Sequence, residues 1–483
     1  MQLDILQKVD SRKLFWILGS VLLLFGCISA WREEPIWLLI PFMLPVVYVG
    51  VRQTSWIYFL LLFSVPFSSE TNITAGTQLD LPAEPLMIAL LGVSVLWLLM
   101  NKKPWGTIIQ HPVSLFLGAH LVWMLVSAVD SVAPVVSAKF ILAKFWFMAA
   151  FYVCSWFFLS DQKSVKKLFW LLYVPILVTT SIALVRHALL GFSFEVVNEV
   201  VVPFYRNHVD YASMLALFYP FVVLARKWYP KGSLEQKLIL VGLVLLPVGV
   251  YFSFTRAAIG ILFLYPLLYM VLHFRWVKLS IGAGLLGVAL LVGYYLQDKT
   301  YMELAPNYER TIYHDEFGNL LEATYKLEDL STMERLYRWV AAGHMVTDRP
   351  WTGTGPGTFY PIYQRYTVSG FQTYMSDNPE RSGVHNYYLM VLTDQGFIGL
   401  AFWVIFVLFV LWFTEKIYHD HANRDERALL AALFCVFGGI LIINGINDMI
   451  ENLKVGALFF IVLALITLIA QRSGMAPPIQ SKD

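Results

Sequence analysis

Charge and cysteine are both scarce in this chain. Of its 483 residues only 14% are Asp, Glu, Lys or Arg, and only three are cysteines. Cys27, Cys154 and Cys435 each sit inside an apolar run without metal-ligand spacing. They read as small buried hydrophobes, which excludes a disulfide scaffold and a zinc centre. A net charge of +2 with no basic domain leaves nothing for nucleic acid to grip. No carboxylate or histidine cluster has the spacing of a metal site, and no glycine-rich loop ends in the lysine of a nucleotide-binding motif. Neither a metal nor any other cofactor is expected. What the chain has in abundance is apolar sequence: 58% of residues are hydrophobic and the mean hydropathy is +0.63.

That composition belongs to a membrane protein. Runs of about 17–25 apolar residues are long enough to cross a hydrocarbon core. The pattern predicts an all-α polytopic fold with about 14 (12–14) transmembrane helices. They lie near 14–30, 36–50, 55–68, 85–100, 113–129, 139–159, 168–190, 209–225, 238–253, 257–274, 277–296, 387–414, 428–444 and 454–471. The region after Cys27 lacks a small-residue cleavage site, so the first run is expected to be a retained span. Alternate short loops are basic: Lys102 and Lys103, then Lys163, Lys166 and Lys167, then Arg226, Lys227, Lys231 and Lys237, then Arg275 and Lys278, then Lys416, Arg424 and Arg427. The positive-inside rule puts these loops and both termini in the cytoplasm. The expected organisation is an N-terminal transmembrane bundle of about 11 helices over 1–296, a large extracytoplasmic loop over 297–386, C-terminal transmembrane helices over 387–471 and a cytoplasmic tail over 472–483.

The polar segment 297–384, ending on His385, is where water-facing chemistry can occur. Ser331-Thr332-Met333-Glu334 fits a capping box, with Ser331 as N-cap and Glu334 reaching back. A surface helix should follow from Thr332 to about Val346, with Arg335 and Trp339 on one face. Arg338 sits one position off that stripe, either solvated or facing a substrate. Next, Gly353, Gly355 and Gly357 alternate through Trp351–Phe359. They either close a tight turn or bring amide groups to an anion. His385 then opens an apolar run beside Tyr388. Arg256, in Phe254-Thr255-Arg256-Ala257-Ala258, occupies a turn between two spans too short to be mere surface. An arginine at that depth is costly unless paired or facing a polar cavity. Arg256, Arg335 and His385 fall on the same membrane face. Two guanidiniums and an imidazole suit a diphosphate-bearing substrate. Arg206, His208 and Asp210, at the outer start of a span, either line the same cavity or serve as structural polar residues. Asn444, Asn447, Asp448 and Glu451 read mainly as loop residues, with contact to an acceptor as the alternative, and His314, Asp315 and Glu316 lie in a turn ending at Gly318.

An ordered set of short motifs carries a family resemblance. It comprises Thr255-Arg256-Ala257-Ala258, Arg335-x-x-x-Trp339, Asp348-Arg349-Pro350, Gly353-x-Gly355-Pro356-Gly357-x-Phe359, His385-Asn386-x-x-Leu389 and Gly396-x-x-Gly399. Over roughly 250–415 the chain resembles the bacterial O-antigen ligase superfamily, which also includes polysaccharide polymerases and protein O-oligosaccharyltransferases. The resemblance implies a metal-independent, GT-C-type glycosyltransferase of the bacterial cytoplasmic (inner) membrane, with its site facing the periplasm. It implies a saccharide donor on undecaprenyl diphosphate and a glycan, lipid-A core or protein acceptor. It places Arg256 and Arg335 on the diphosphate and His385 on the acceptor hydroxyl. Arg206, His208, Asp210, Arg338, Gly355, Gly357 and Tyr388 are the secondary substrate-binding candidates.

The residues agree with that chemistry. Fixed arginines stabilise the charge that grows on the leaving diphosphate. A histidine of ordinary pKa near 6.5 can take the acceptor's proton at neutral pH. A single displacement inverts the anomeric centre, and no glycosidase-like carboxylate pair stands out. The reading from another class is a flippase for lipid-linked saccharides or a secondary transporter. That reading calls for ionisable residues mid-span and symmetric broken helices. Here the mid-span charges are few, chiefly Lys139 and Lys144.

Overall fold

The computed structural model describes residues 53–74, 77–100, 102–304, 330–373, 376–378 and 382–474, together with residues 20 and 24. The spans expected near 14–30 and 36–50, Cys27, the turn at 314–318 and the tail from 475 lie outside these residues. In chain order the main elements are α1 (Thr54–Ser64), β1 (Ser69–Thr74), β2 (Thr77–Leu81), α2 (Ala83–Met100), α3 (Lys102–Ile109) and α4 (Pro112–Val129). Then come α5 (Pro134–Phe158), α6 (Gln162–Leu189), α7 (His208–Ala225), α8 (Leu234–Phe252), α9 (Arg256–His273) and α10 (Val277–Leu296). The chain finishes with α11 (Leu330–Asp348), α12 (Tyr387–Asp420), α13 (Arg424–Ile443) and α14 (Leu453–Arg472).

Among the described residues ten helices are long and apolar enough to cross a membrane, namely α4 to α10 and α12 to α14. Each coincides with an expected span. The expected spans near 55–68 and 85–100 are shorter apolar helices. The surface supports the membrane assignment independently. On α10, Leu285, Leu286, Val288, Leu290, Leu291 and Val292 are all at least half exposed. Such an apolar belt would drive aggregation in water and is at home in lipid.

Burial sorts the helices by sequence. α14 is apolar on every side, and the residues of its hydrophobic window are all buried. A helix that is hydrophobic all round belongs in a core, and α14 is packed by α5, α7, α12 and α13. The C-terminal helices therefore fill the centre of the bundle built by the helices before them.

Connectivity fixes which ends meet. α7, α9, α12 and α14 all begin at one end of the bundle, and α8, α10 and α13 return to it. Arg256, α11, His385 and the loop 444–452 are thereby collected at that end. The basic loops 226–237, 274–278 and 416–427 gather at the other.

Two local expectations are corrected. The all-α reading missed a two-stranded antiparallel hairpin, β1–β2, at the loop before Glu84. Its threonine, isoleucine and leucine residues alternate with polar ones, and Glu70 pairs with Asp80 across the ladder. The capping box at Ser331 does not form. α11 starts at Leu330, so Ser331 lies within its first turn. Glu334 is buried; it accepts hydrogen bonds from Thr373 and from Ser376 Oγ (2.8 Å), and pairs with Arg338 (3.4 Å). Tertiary donors in a dry site outcompete the local backbone for that carboxylate. The apolar face of α11, with Met333, Tyr337, Ala341, Ala342 and Met345, packs on α12 and the turn Tyr363–Tyr366.

Candidate functional site

Two adjoining chambers open where these helix ends meet. The first has a volume of about 780 Å³. Its apolar walls include Phe254, Tyr295, Leu296, Leu336, Trp339 and Ile446, and its polar groups are Arg256, Arg335, His208, His344 and Asn447. Arg256 is the first residue of α9. The N-cap Thr255 makes no side-chain bond to the first amides of that helix; its hydroxyl donates to the carbonyls of His208 (3.4 Å) and Ser253 (3.3 Å). The start of α9 is thus tied to the start of α7, with the positive end of its dipole directed at the chamber.

The second chamber, of about 320 Å³, is polar. His385, Arg335, Arg206, Glu334, Asp448 and Asn452 are among its walls. Arg335 borders both chambers, as do Val209, Ser331 and Asn447. The guanidinium is fixed by donation from Nε to the Ile446 carbonyl (3.2 Å) and from NH1 to Ser331 Oγ (2.9 Å).

The motif spacing has a visible physical basis. Arg335 and Trp339 lie one turn apart on α11. Trp339 Nε1 donates to the carbonyl of Val384 (3.1 Å), which anchors the residue preceding His385. Asn386 caps α12 by accepting from the Leu389 amide (3.1 Å), while its Nδ2 donates to the Gly445 carbonyl (2.8 Å). The Tyr387 amide donates to the carbonyls of Asn444 (2.8 Å) and Asn447 (3.0 Å). His385 is therefore held between α11 and the loop 444–447. Its backbone is left-handed, with φ 52°. A non-glycine residue held there costs about 1–3 kcal/mol and persists only where the surroundings over-determine it.

The ordinary basicity expected for His385 is not what the site provides. Burial, reinforced by the fields of Arg338, Arg335 and Arg206, pushes its pKa down to about 3, against a weaker opposing hydrogen bond with Asn447. The imidazole is neutral at physiological pH, and the hydrogen bond orients it. Asp448, on the wall of the same chamber, is raised above the ordinary carboxylate range, chiefly by burial.

The secondary candidates divide. Arg206 and Asp210 border the second chamber, and His208 borders the first. Arg338 is not solvated. It is 5% exposed and paired with Glu334, and its charge reaches His385 from behind. Tyr388 lines neither chamber; its hydroxyl donates to the Leu441 carbonyl (3.1 Å) and braces α12 against α13. Gly355 and Gly357 also line neither. Their positive φ values, 111° and 74°, let the turn dock into α12. There the Gly355 amide donates to the Asp394 carbonyl (2.9 Å) and the Gly357 amide to Asp394 Oδ2 (2.7 Å). What these amides meet is the protein itself: a backbone carbonyl for Gly355 and the carboxyl group of Asp394 for Gly357.

A methyl group at Gly355 would overlap the side chains of Ser131 and Ser137. Gly355→Ala should therefore destabilise the protein by about 1–3 kcal/mol, read as a lowered unfolding temperature with ligand affinity unchanged. Unchanged stability with weakened binding would restore a ligand role to the turn.

The sequence underweighted the loop 444–452. Asn447, Asp448 and Glu451 all border the second chamber, and Glu451 also accepts from the buried Lys144 (2.5 Å). The usable signal was the one applied to Arg256: ionisable residues in a loop between two spans too short to be simple surface.

Taken together, the helices and chambers define a polytopic membrane protein with one apolar and one polar chamber at the same end of its bundle. Residues 241–404 match the O-antigen ligase family model, and this match over about a third of the chain supports the resemblance to the O-antigen ligase superfamily. The matched segment holds Arg256, Arg335 and His385; Arg206–Asp210 and the loop 444–452 lie outside it. No curated protein matches the chain.

Proposed function

We propose that the protein transfers a saccharide from a polyprenyl diphosphate of the undecaprenyl type to a hydroxyl of a glycan acceptor, with inversion at the anomeric carbon. The observation that carries this reading is the position of Arg335. It borders an apolar chamber that also holds Arg256, and a polar chamber that holds His385. An amphiphilic donor fits the first: prenyl chain along its apolar walls, diphosphate at the two guanidiniums and the start of α9. The acceptor hydroxyl fits the second. Transfer breaks the bond from the anomeric carbon to the diphosphate oxygen and forms one to the acceptor oxygen. The proton passes to the neutral imidazole of His385, and the arginines stabilise the departing diphosphate. The basic loops at the opposite end of the bundle support an extracytoplasmic orientation for both chambers. Ligase, polymerase and protein-glycosylation chemistry differ only in the acceptor.

The depressed pKa of His385 fits an ordered reaction. Besides burial, the charges of Arg338, Arg335 and Arg206 hold the imidazole's basicity down, and a bound diphosphate would offset those charges and raise it. Since kcat/KM reports the free enzyme, it should show no acid limb from His385 between about pH 5 and 8. The limb of kcat, which reports the loaded enzyme, should lie at higher pH than that of kcat/KM. Identical limbs near the ordinary histidine value for both parameters would refute the coupling. The reading itself is tested by transfer from a synthetic lipid-diphosphate oligosaccharide in liposomes. Movement of the donor across the bilayer without transfer to any acceptor would favour the flippase reading instead.

A further inference from the structure

A third chamber continues from the second. It has a volume of about 410 Å³ and shares Arg206, Asp210, Glu451 and Asn452 with the chamber of His385. Its far wall is the β1–β2 hairpin, which contributes Glu70 and Asp80, and its floor is Lys454, the second residue of α14.

The arrangement is built and costly. Glu70 and Asp80 face each other directly across the ladder, and like charges opposite one another destabilise a hairpin. Lys454 is 8% exposed; its Nζ donates to the Ser68 carbonyl (2.9 Å) and lies 5.1 Å from the centre of the Tyr205 ring. Arg206 sits 3.7 Å from Glu70, and Asp210 Oδ1 accepts from Asn452 Nδ2 (2.6 Å). Glu451 is paired with Lys144, so Glu70, Asp80 and Asp210 face Arg206 and Lys454: carboxylates outnumber cations. Carboxylate oxygens accept hydrogen bonds from sugar hydroxyls, two at a time where the geometry is a fork. They repel phosphate and uronate groups. The first chamber has the opposite character, with two arginines and apolar walls.

We propose that this third chamber is the acceptor subsite, and that it takes a hydroxyl-rich terminal sugar that is neutral or amino-bearing and carries no anionic group. The sugar rests on the hairpin and Lys454 and presents one hydroxyl through the shared opening to His385. This inference rests on the transferase reading and assigns the acceptor class within it.

The test uses the full chain in liposomes, a synthetic lipid-diphosphate saccharide donor, and two acceptor oligosaccharides that differ only in a terminal hexose or the matching hexuronic acid. The wild type should favour the neutral acceptor by about tenfold or more in kcat/KM, equivalent to about 1.4 kcal/mol. Glu70→Gln, on the exposed hairpin, and Asp80→Asn should narrow that preference severalfold, with the KM for the donor unchanged and the unfolding temperature not lowered. Equal use of both acceptors by the wild type, or a preference that both variants leave intact, would overturn the inference while the transferase reading stands. Absence of transfer to either acceptor, with the donor bound, would overturn the transferase reading and the inference with it.

Discussion

His385→Gly is expected to lower glycan transfer by about 10²–10⁴-fold, the range for loss of a positioned general base. Glycine is the substitution of choice because the backbone there is left-handed, φ 52°. Glycine adopts that conformation without penalty, whereas alanine would remove the imidazole and keep the strain. The anchors on either side, Trp339 to the Val384 carbonyl and Asn386 to the Gly445 carbonyl, involve no atom of the His385 side chain. The fold and the donor KM should therefore survive. Imidazole added to the medium should restore part of the transfer, because the vacated volume opens into a polar chamber of about 320 Å³. Restoration should grow with the concentration of neutral imidazole, hence with pH up to its own pKa. Full transfer by His385→Gly would remove His385 from the mechanism.

Much of this architecture was legible in the sequence because hydrophobic spans announce themselves. The ten long helices coincide with ten apolar runs, and α14 reads as a core helix from its all-round apolarity. The placement of Arg256 on a chamber wall was legible for the same reason: a guanidinium between two spans has nowhere cheap to go. What escaped was whatever depends on contacts distant in the chain. Glu334 looked like a helix cap until Thr373 and Ser376, some forty residues on, claimed its carboxylate. Whether Arg338 faces solvent stayed open because a helical wheel does not show what covers α11 there. The glycine turn left an anion cradle open as an alternative because its partner, the Asp394 carboxyl group, sits on another element. The loop 444–452 read mainly as a polar connection, and the hairpin was not foreseen. Their carboxylates acquire meaning only when folding brings them beside Arg206 and His385.

Arg335 should be the least replaceable of the arginines. Arg335→Lys keeps the charge and loses the planar fork, so transfer should fall by about 10²–10³-fold, the range for removing one fixed donor from developing negative charge. Combining it with Arg256→Lys should cost less than the product of the two single effects, because both donors serve one diphosphate and removal of either lets it shift. The neutral variant Arg335→Gln adds a second signature that Arg256→Gln should lack. Arg335 is among the cations that hold the His385 pKa down and shares a chamber with it, whereas Arg256 borders only the first chamber. Removing the Arg335 charge therefore raises the His385 pKa. A base with a raised pKa is protonated at less acidic pH, so the acid limb of kcat/KM should move toward neutrality in Arg335→Gln and stay in place in Arg256→Gln. Equal movement in both variants would mean that the field reaches His385 from the whole site. No movement in Arg335→Gln, together with wild-type transfer, would mean that Arg335 belongs to neither chamber's chemistry. The predicted contrast separates two roles of one guanidinium: holding the leaving group in the first chamber and setting the strength of the base in the second.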